Sequence, residues 1–260
     1  MRPRKDHIHL AGGRIETLWW EQPRTTGPTL VFLHEGLGSA GLWRDFPSRL
    51  AAATGLDAFA FSRFGYGGSD PCALPRPLDY LTREAVEILP EVLSAAAISD
   101  FILVGHSDGA TIALLYAGLA AAPGFRGGIV EAPHVLVEEV TVAGIRATRD
   151  LYDRGLRDRL ARHHGANVDI AFEGWWRTWL DPEFRAWNVE SELAGIARPF
   201  LVIQGRDDEY ATLAQVERVA ASHPDLMRTL VVEACGHTPH RDQAELVLAA
   251  MVKFVQKLLN

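Results

Sequence analysis

Six short apolar runs recur along the chain, at Thr29–Leu33, Asp57–Phe61, Phe101–Gly105, Gly127–Val130, Phe200–Ile203 and Thr229–Val232. A strand wetted on one face alternates apolar and polar residues, whereas a continuous apolar run of this length suits a strand covered on both faces. Helical periodicity or loop separates the runs, with helices expected over Trp43–Ala53, Tyr80–Ala97, Asp108–Ala121, Leu213–Ser222 and His240–Leu259. Such alternation predicts an α/β fold, a mostly parallel central sheet flanked by helices. Ahead of the first run, HIHLAGGRIETLWWEQ alternates around Gly12-Gly13 and predicts a hairpin whose glycines supply positive φ. Thr212 and Gln215 have the spacing of a capping box at the start of the fourth helix.

The rhythm breaks between residues 133 and 198, which hold helical segments and four of the seven tryptophans but no convincing strand. The expected organisation is a core of residues 1–132 and 199–260 interrupted by a helical lid over 133–198. Phe172, Trp175, Trp176 and Trp179 lie at i, i+3, i+4 and i+7, on one helix face. That stripe either packs the insertion onto the core or roofs an apolar pocket. As pocket residues the expectation names Leu37, Trp175, Trp176 and Trp179.

Composition narrows the functional classes. Lys and Arg number 26 against 33 Asp and Glu, a net charge of −7, which opposes a nucleic-acid or anionic-membrane partner. Cys72 and Cys235 have no zinc-like spacing, and two cysteines in 260 residues do not make a disulfide framework. No apolar run reaches the roughly 18 residues of a membrane span, and the N-terminus lacks a signal-peptide pattern. A cytoplasmic protein, monomeric or homodimeric, is the expectation.

The chemistry points to Gly105-His106-Ser107-Asp108-Gly109. These residues follow the apolar run FILV and precede the helical pattern ATIALLYAGLA. A serine in a tight strand-to-helix turn is exposed at the sheet edge, and glycines two positions either side allow close backbone approach. A serine hydroxyl needs a base that an acid orients. Acid candidates, Asp207 and Asp208, follow the fifth apolar run; base candidates, His237 and His240, follow the sixth.

HEGLGS (34–39), RFGYGGSD (63–70), GHSDG (105–109), GRDDEY (205–210) and CGHTPH (235–240) together make the whole chain resemble the α/β-hydrolase superfamily. Within it, the chain looks most like lidded esterases and carbon–carbon bond hydrolases. The resemblance implies Ser107 as nucleophile, Asp208 as acid through G-x-x-D, and His237 as base through G-H. It implies an oxyanion hole from the amides of Asp108 and Gly36, with Leu37 as the alternative to Gly36. It implies neither metal nor cofactor.

Glu35 departs from the family pattern, standing where HG-x-G members usually have glycine. A carboxylate there would oppose an oxyanion, so Glu35 should point away, pair with a cation such as Arg63, or be protonated. Asp108 either stabilises the start of its helix or selects substrate. His163 and His164 have no partners at ligand spacing. A serine at the elbow argues against dehalogenase and epoxide hydrolase chemistry, which the resemblance associates with aspartate. What remains is a carboxylesterase cleaving short- to medium-chain or aromatic esters of small molecules. The alternatives are a carbon–carbon hydrolase of ring-fission products, using Arg146, Arg149 or Arg177 to bind a carboxylate, a perhydrolase, and a ligand-binding receptor.

Overall fold

The computed structural model describes residues 2–23 and 26–260. All six apolar runs form strands: β3 (Thr29–Leu33), β4 (Ala58–Phe61), β5 (Phe101–His106), β6 (Phe125–Glu131), β7 (Phe200–Gly205) and β8 (Met227–Val232). The hairpin supplies β1 (Arg4–Leu10) and β2 (Gly13–Trp20), and of its two glycines only Gly13 has positive φ, at 134°. The eight strands run in the order β1-β2-β4-β3-β5-β6-β7-β8. β1 and β2 are antiparallel, and β3 to β8 are parallel.

Among the described residues the α-helices are, in chain order, α1 (Phe46–Thr54), α2 (Tyr80–Arg83), α3 (Leu89–Ala95), α4 (Asp108–Leu119), α5 (Glu139–Asp150), α6 (Leu156–His164), α7 (Val168–Trp179), α8 (Leu213–Ser222), α9 (Pro239–Asp242) and α10 (Ala244–Leu259). The continuous apolar strands are explained by two cores. Leu30 and Phe32 face a core with α1 and α10, while Val31 and Leu33 face one with α3, α4 and α8.

The expected helices differ from the structure where backbone chemistry intervenes. Arg44, at φ 55°, delays the first helix to Phe46. The second is divided by a π-helical segment, Glu84–Ile88, just before Pro90, which has no amide to continue the α pattern. The last breaks at Gln243, outside helical φ,ψ. At α8 the Thr212 hydroxyl accepts from the Ala214 amide, but Gln215 does not reach back. Glu138 binds the Thr212 amide instead, and Gln215 turns inward to the backbone of Val135 and Leu136.

Between β6 and β7 lie α5, α6 and α7. An antiparallel bridge, Leu136 to Asn188, joins the two ends of this segment. The sheet order reverses direction at β3, where the chain runs first to β4 and then back to β5. Ligands of open α/β sheets bind beyond the carboxyl ends of strands at such a switch point. Here that position holds the loop after β3, Glu35 to Gly38, and Ser107 after β5.

Candidate active site

Ser107 occupies the turn from β5 to α4 at φ 52°, ψ −116°, a conformation that costs energy in a residue with a Cβ. The surrounding backbone enforces it. A Cβ on Gly105 would lie 2.3 Å from the Gly109 carbonyl oxygen, and one on Gly109 would lie 2.0 Å from that of Leu33. Only glycine fits at either position.

His237, from the loop after β8, places Nε2 3.0 Å from Ser107 Oγ. Its Nδ1 donates to Asp208, 2.9 Å from Oδ1 and 2.8 Å from Oδ2. With the Nδ1 proton engaged there, Nε2 keeps a lone pair to accept the serine proton. Asp208 also accepts from the amides of Tyr210 and Ala211 and from Gln204 Nε2. Burial works against its charge, but His237 and the Tyr210 amide outweigh burial and hold the carboxyl below its usual range. Asp207 is exposed, and His240 is buried against Glu131. Of each pair of candidates, the structure therefore brings Asp208 and His237 to Ser107.

The amides of Gly36, Leu37 and Asp108 have no acceptor among the described residues, and all three residues line the cavity beside Ser107. The cavity has a volume of about 90 Å³. Its apolar wall is Leu37, Ile145, Trp175, Trp179 and Tyr210, and its polar groups include Glu35, Asp108 and His134. Trp176 is not among the lining residues. It lies half-buried at the outer edge of the aromatic stripe, under the guanidinium groups of Arg149 and Arg177. At about 100° per residue, Trp175 and Trp176 sit on opposite edges of the arc centred on Phe172 and Trp179. Only one edge can face the cavity.

Trp175 approaches so closely that a Cβ on Gly36 would lie 2.4 Å from its Cδ1. Asp108 faces Arg63, whose Nη1 and Nη2 each lie 3.3 Å from Oδ2, and accepts from Tyr80 Oη at 2.8 Å. Trp179 Nε1 donates to the same phenol, linking α7 to the elbow. Arg63 is thus engaged by Asp108, and it touches Glu35 only through the backbone carbonyl, at 3.0 Å. The Glu35 carboxylate pairs with His106, at 3.6 Å.

His164 is buried at the end of α6. It accepts from the Gly67 amide through Nδ1 and donates to the Leu37 carbonyl through Nε2. Sequence reasoning missed His106, His134 and His164, whose partners come from distant segments. Burial lowers His134 to about 4, so it is neutral beside His237. Arg146, Arg149 and Arg177 do not line the cavity.

No curated protein sequence matches the chain. Among solved structures, it resembles proline iminopeptidase from Mycobacterium smegmatis at 18% identity and TM-score 0.73, over 98% of both chains. It resembles the esterase RhEst1 from Rhodococcus sp. ECU1013 at 18% identity and TM-score 0.72, over 99% of this chain and 100% of that one. A serine hydrolase involved in carbazole degradation, the CarC enzyme, aligns at 14% identity and TM-score 0.75, over 98% and 99%. At these identities the likeness establishes the fold, and no helix among the described residues is long and apolar enough to cross a membrane. The sequence profile of the Alpha/beta hydrolase family matches residues 30–250, and the chain belongs to that family.

Proposed function

We propose that the protein is a serine esterase of small molecules with short acyl groups, and that the segment 133–198 is its lid. The hydrogen-bonded chain from Ser107 through His237 to Asp208, at a strained strand-to-helix turn, carries this reading. Ser107 Oγ attacks the ester carbonyl as His237 Nε2 takes its proton, and the amides of Asp108 and Gly36 stabilise the oxyanion. His237 returns the proton to the leaving alcohol, then activates water to cleave the acyl-enzyme. Asp208 steadies the imidazolium throughout.

The cavity volume of about 90 Å³ bounds the acyl group. An apolar cavity of about 150 Å³ accommodates benzene, so this one suits acetyl to butyryl chains. Carbon–carbon hydrolysis of an acidic ring-fission product would call for a cation to hold the carboxylate. No lysine or arginine lines this cavity among the described residues, which favours the esterase reading.

Steady-state assays with p-nitrophenyl acetate, butyrate and octanoate, alongside fluorophosphonate labelling, test this. Wild type should hydrolyse acetate and butyrate faster than octanoate, and Ser107→Ala should lower kcat by about 10⁴-fold or more and abolish labelling. Turnover surviving in Ser107→Ala would refute the mechanism, and a preference for octanoate would refute the assigned acyl size.

A further inference from the structure

Glu35 lies in the loop that carries the Gly36 and Leu37 amides, where a carboxylate would oppose an oxyanion. Its Oε2 is 3.6 Å from Nδ1 of His106, the residue preceding Ser107. That separation is in ion-pair range and too long for a hydrogen bond. His106 is 2% exposed, and its Nδ1 has no hydrogen-bond partner among the described residues, so Glu35 is the group it faces. On the opposite side of the ring, Nε2 donates to the backbone carbonyl of His237 at 2.7 Å. The His237 amide is held in turn by Glu209 Oε2, at 3.2 Å. One buried imidazole therefore spans from the oxyanion loop to the peptide of the base.

Among the other titratable groups around this pair, Glu131 hydrogen-bonds His240 and also favours the charged form of His106, Arg63 faces Asp108, and the buried imidazoles of His34 and His164 lie within electrostatic reach of Glu35. Around the His237 ring, Asp208 takes Nδ1, neutral His134 and Tyr210 make ring contacts, and the His106 ring itself lies 5.1 Å away. Burial pulls His106 down, but Glu35 outweighs it and raises the imidazole above its usual value. Burial likewise opposes the charge on Glu35, and His106 overcomes it, holding the carboxyl well below the usual range.

We propose that Glu35 and His106 are a charge-balanced positioning pair for the hydrolysis assigned to Ser107 and His237. The pair ties the oxyanion loop to the backbone of His237, and His106 cancels the charge that Glu35 brings to that loop. Neither residue touches the reacting atoms. The inference rests on the serine-esterase reading and explains why a carboxylate is tolerated where a glycine would be expected.

A double-mutant cycle on the full-length protein tests it, reading p-nitrophenyl acetate turnover, its pH profile, and the rate of fluorophosphonate labelling. His106→Gln keeps a donor for the His237 carbonyl but strands the Glu35 charge. It should lower kcat and the labelling rate about 30-fold with KM changed less than about threefold. The stranded carboxylate should also move the acid limb of kcat/KM to higher pH by favouring the His237 imidazolium. Glu35→Gln should cost only about threefold, and the double variant, with both charges gone, should recover to within about fivefold of wild type.

Rescue by the second substitution is the signature of charge balance, because purely structural losses would accumulate. A double variant more impaired than His106→Gln, or three variants that label like wild type, would overturn the proposal. If His106→Gln alone does not fold, a folded and active double variant supports it and an equally defective one overturns it. Wild type that neither turns over nor labels would instead refute the Ser107 reading itself.

Discussion

The two loops that meet at the switch point are held in place by different means. The elbow around Ser107 is clamped by backbone: Gly105 presses on Gly109, and Gly109 on Leu33. The loop after β3 is clamped by side chains from elsewhere, Arg63 on the Glu35 carbonyl, His164 on the Leu37 carbonyl, and Trp175 against Gly36. Backbone cannot yield without moving a strand, whereas a side chain can change rotamer. Ser107, the proposed nucleophile, should therefore be the rigid half of the site, and the loop after β3, the proposed oxyanion loop, the adjustable half.

The largest effect should come from the elbow. In Gly109→Ala the new Cβ meets the Leu33 carbonyl oxygen at 2.0 Å, between a central strand and a helix start. Overpacking of this kind costs about 1–3 kcal/mol, so the denaturation midpoint should fall measurably. Displacing Ser107 from His237 by about 1 Å should also lower kcat/KM about 100-fold. An alanine variant with wild-type stability and rate would show that the elbow is not backbone-locked.

Gly36→Ala probes the other half, since its Cβ meets the Trp175 ring at 2.4 Å and, at 3.4 Å, the Asp108 carboxylate, both of them side chains. That ring belongs to α7 and can move, so stability should change by less than about 1 kcal/mol while kcat/KM on p-nitrophenyl acetate falls about tenfold. Displacing Trp175 also enlarges the cavity, so the octanoate rate should fall less than the acetate rate. A loss of stability as large as that of Gly109→Ala would erase the distinction between the two loops.

The same contrast explains what was legible in the sequence. Burial on both faces writes itself into consecutive residues, so the five runs in β3 to β7 read as strands for that reason, whereas the run in β8, at the sheet edge, is apolar although Thr229 is exposed and Leu230 and Val231 are half-buried. The elbow is five contiguous residues between a strand and a helix, and its glycines announce the backbone contacts. The oxyanion loop depends on Arg63, His106 and His164, which come from three other segments and meet it only through the sheet order. No local pattern records such meetings, and the pairing of Glu35 with His106 rather than Arg63 could not be foreseen. The tryptophan stripe lies between these cases. Its helical spacing identifies the buried arc but not which edge faces the cavity, so the pattern alone names Trp176 together with Trp175. At α8, a tertiary contact from Glu138 displaced the local capping partner Gln215.

The smallest effect should come from His164→Gln, since His164 joins α6 to the proposed oxyanion loop as both donor and acceptor. Glutamine can reproduce both bonds, so His164→Gln should retain activity within about threefold, while His164→Phe strands the Leu37 carbonyl and should cost about tenfold in kcat. The imidazole differs from glutamine in titrating. Burial lowers His164 below its usual value of 6.5. As pH falls below 6.5, the unfolded chain therefore takes up a proton that folded His164 refuses, and this contribution to stability declines. His34 and His134 act in the same direction, and His106, raised by Glu35, acts against them. Because those three are common to wild type and His164→Gln, the difference between their stability profiles isolates residue 164. Denaturant titrations from pH 7 downward should show a shallower decline in the glutamine variant. Equal slopes would mean that the imidazole is not the neutral bridge the geometry requires, and the oxyanion loop would then be held by Arg63 and Trp175 without it.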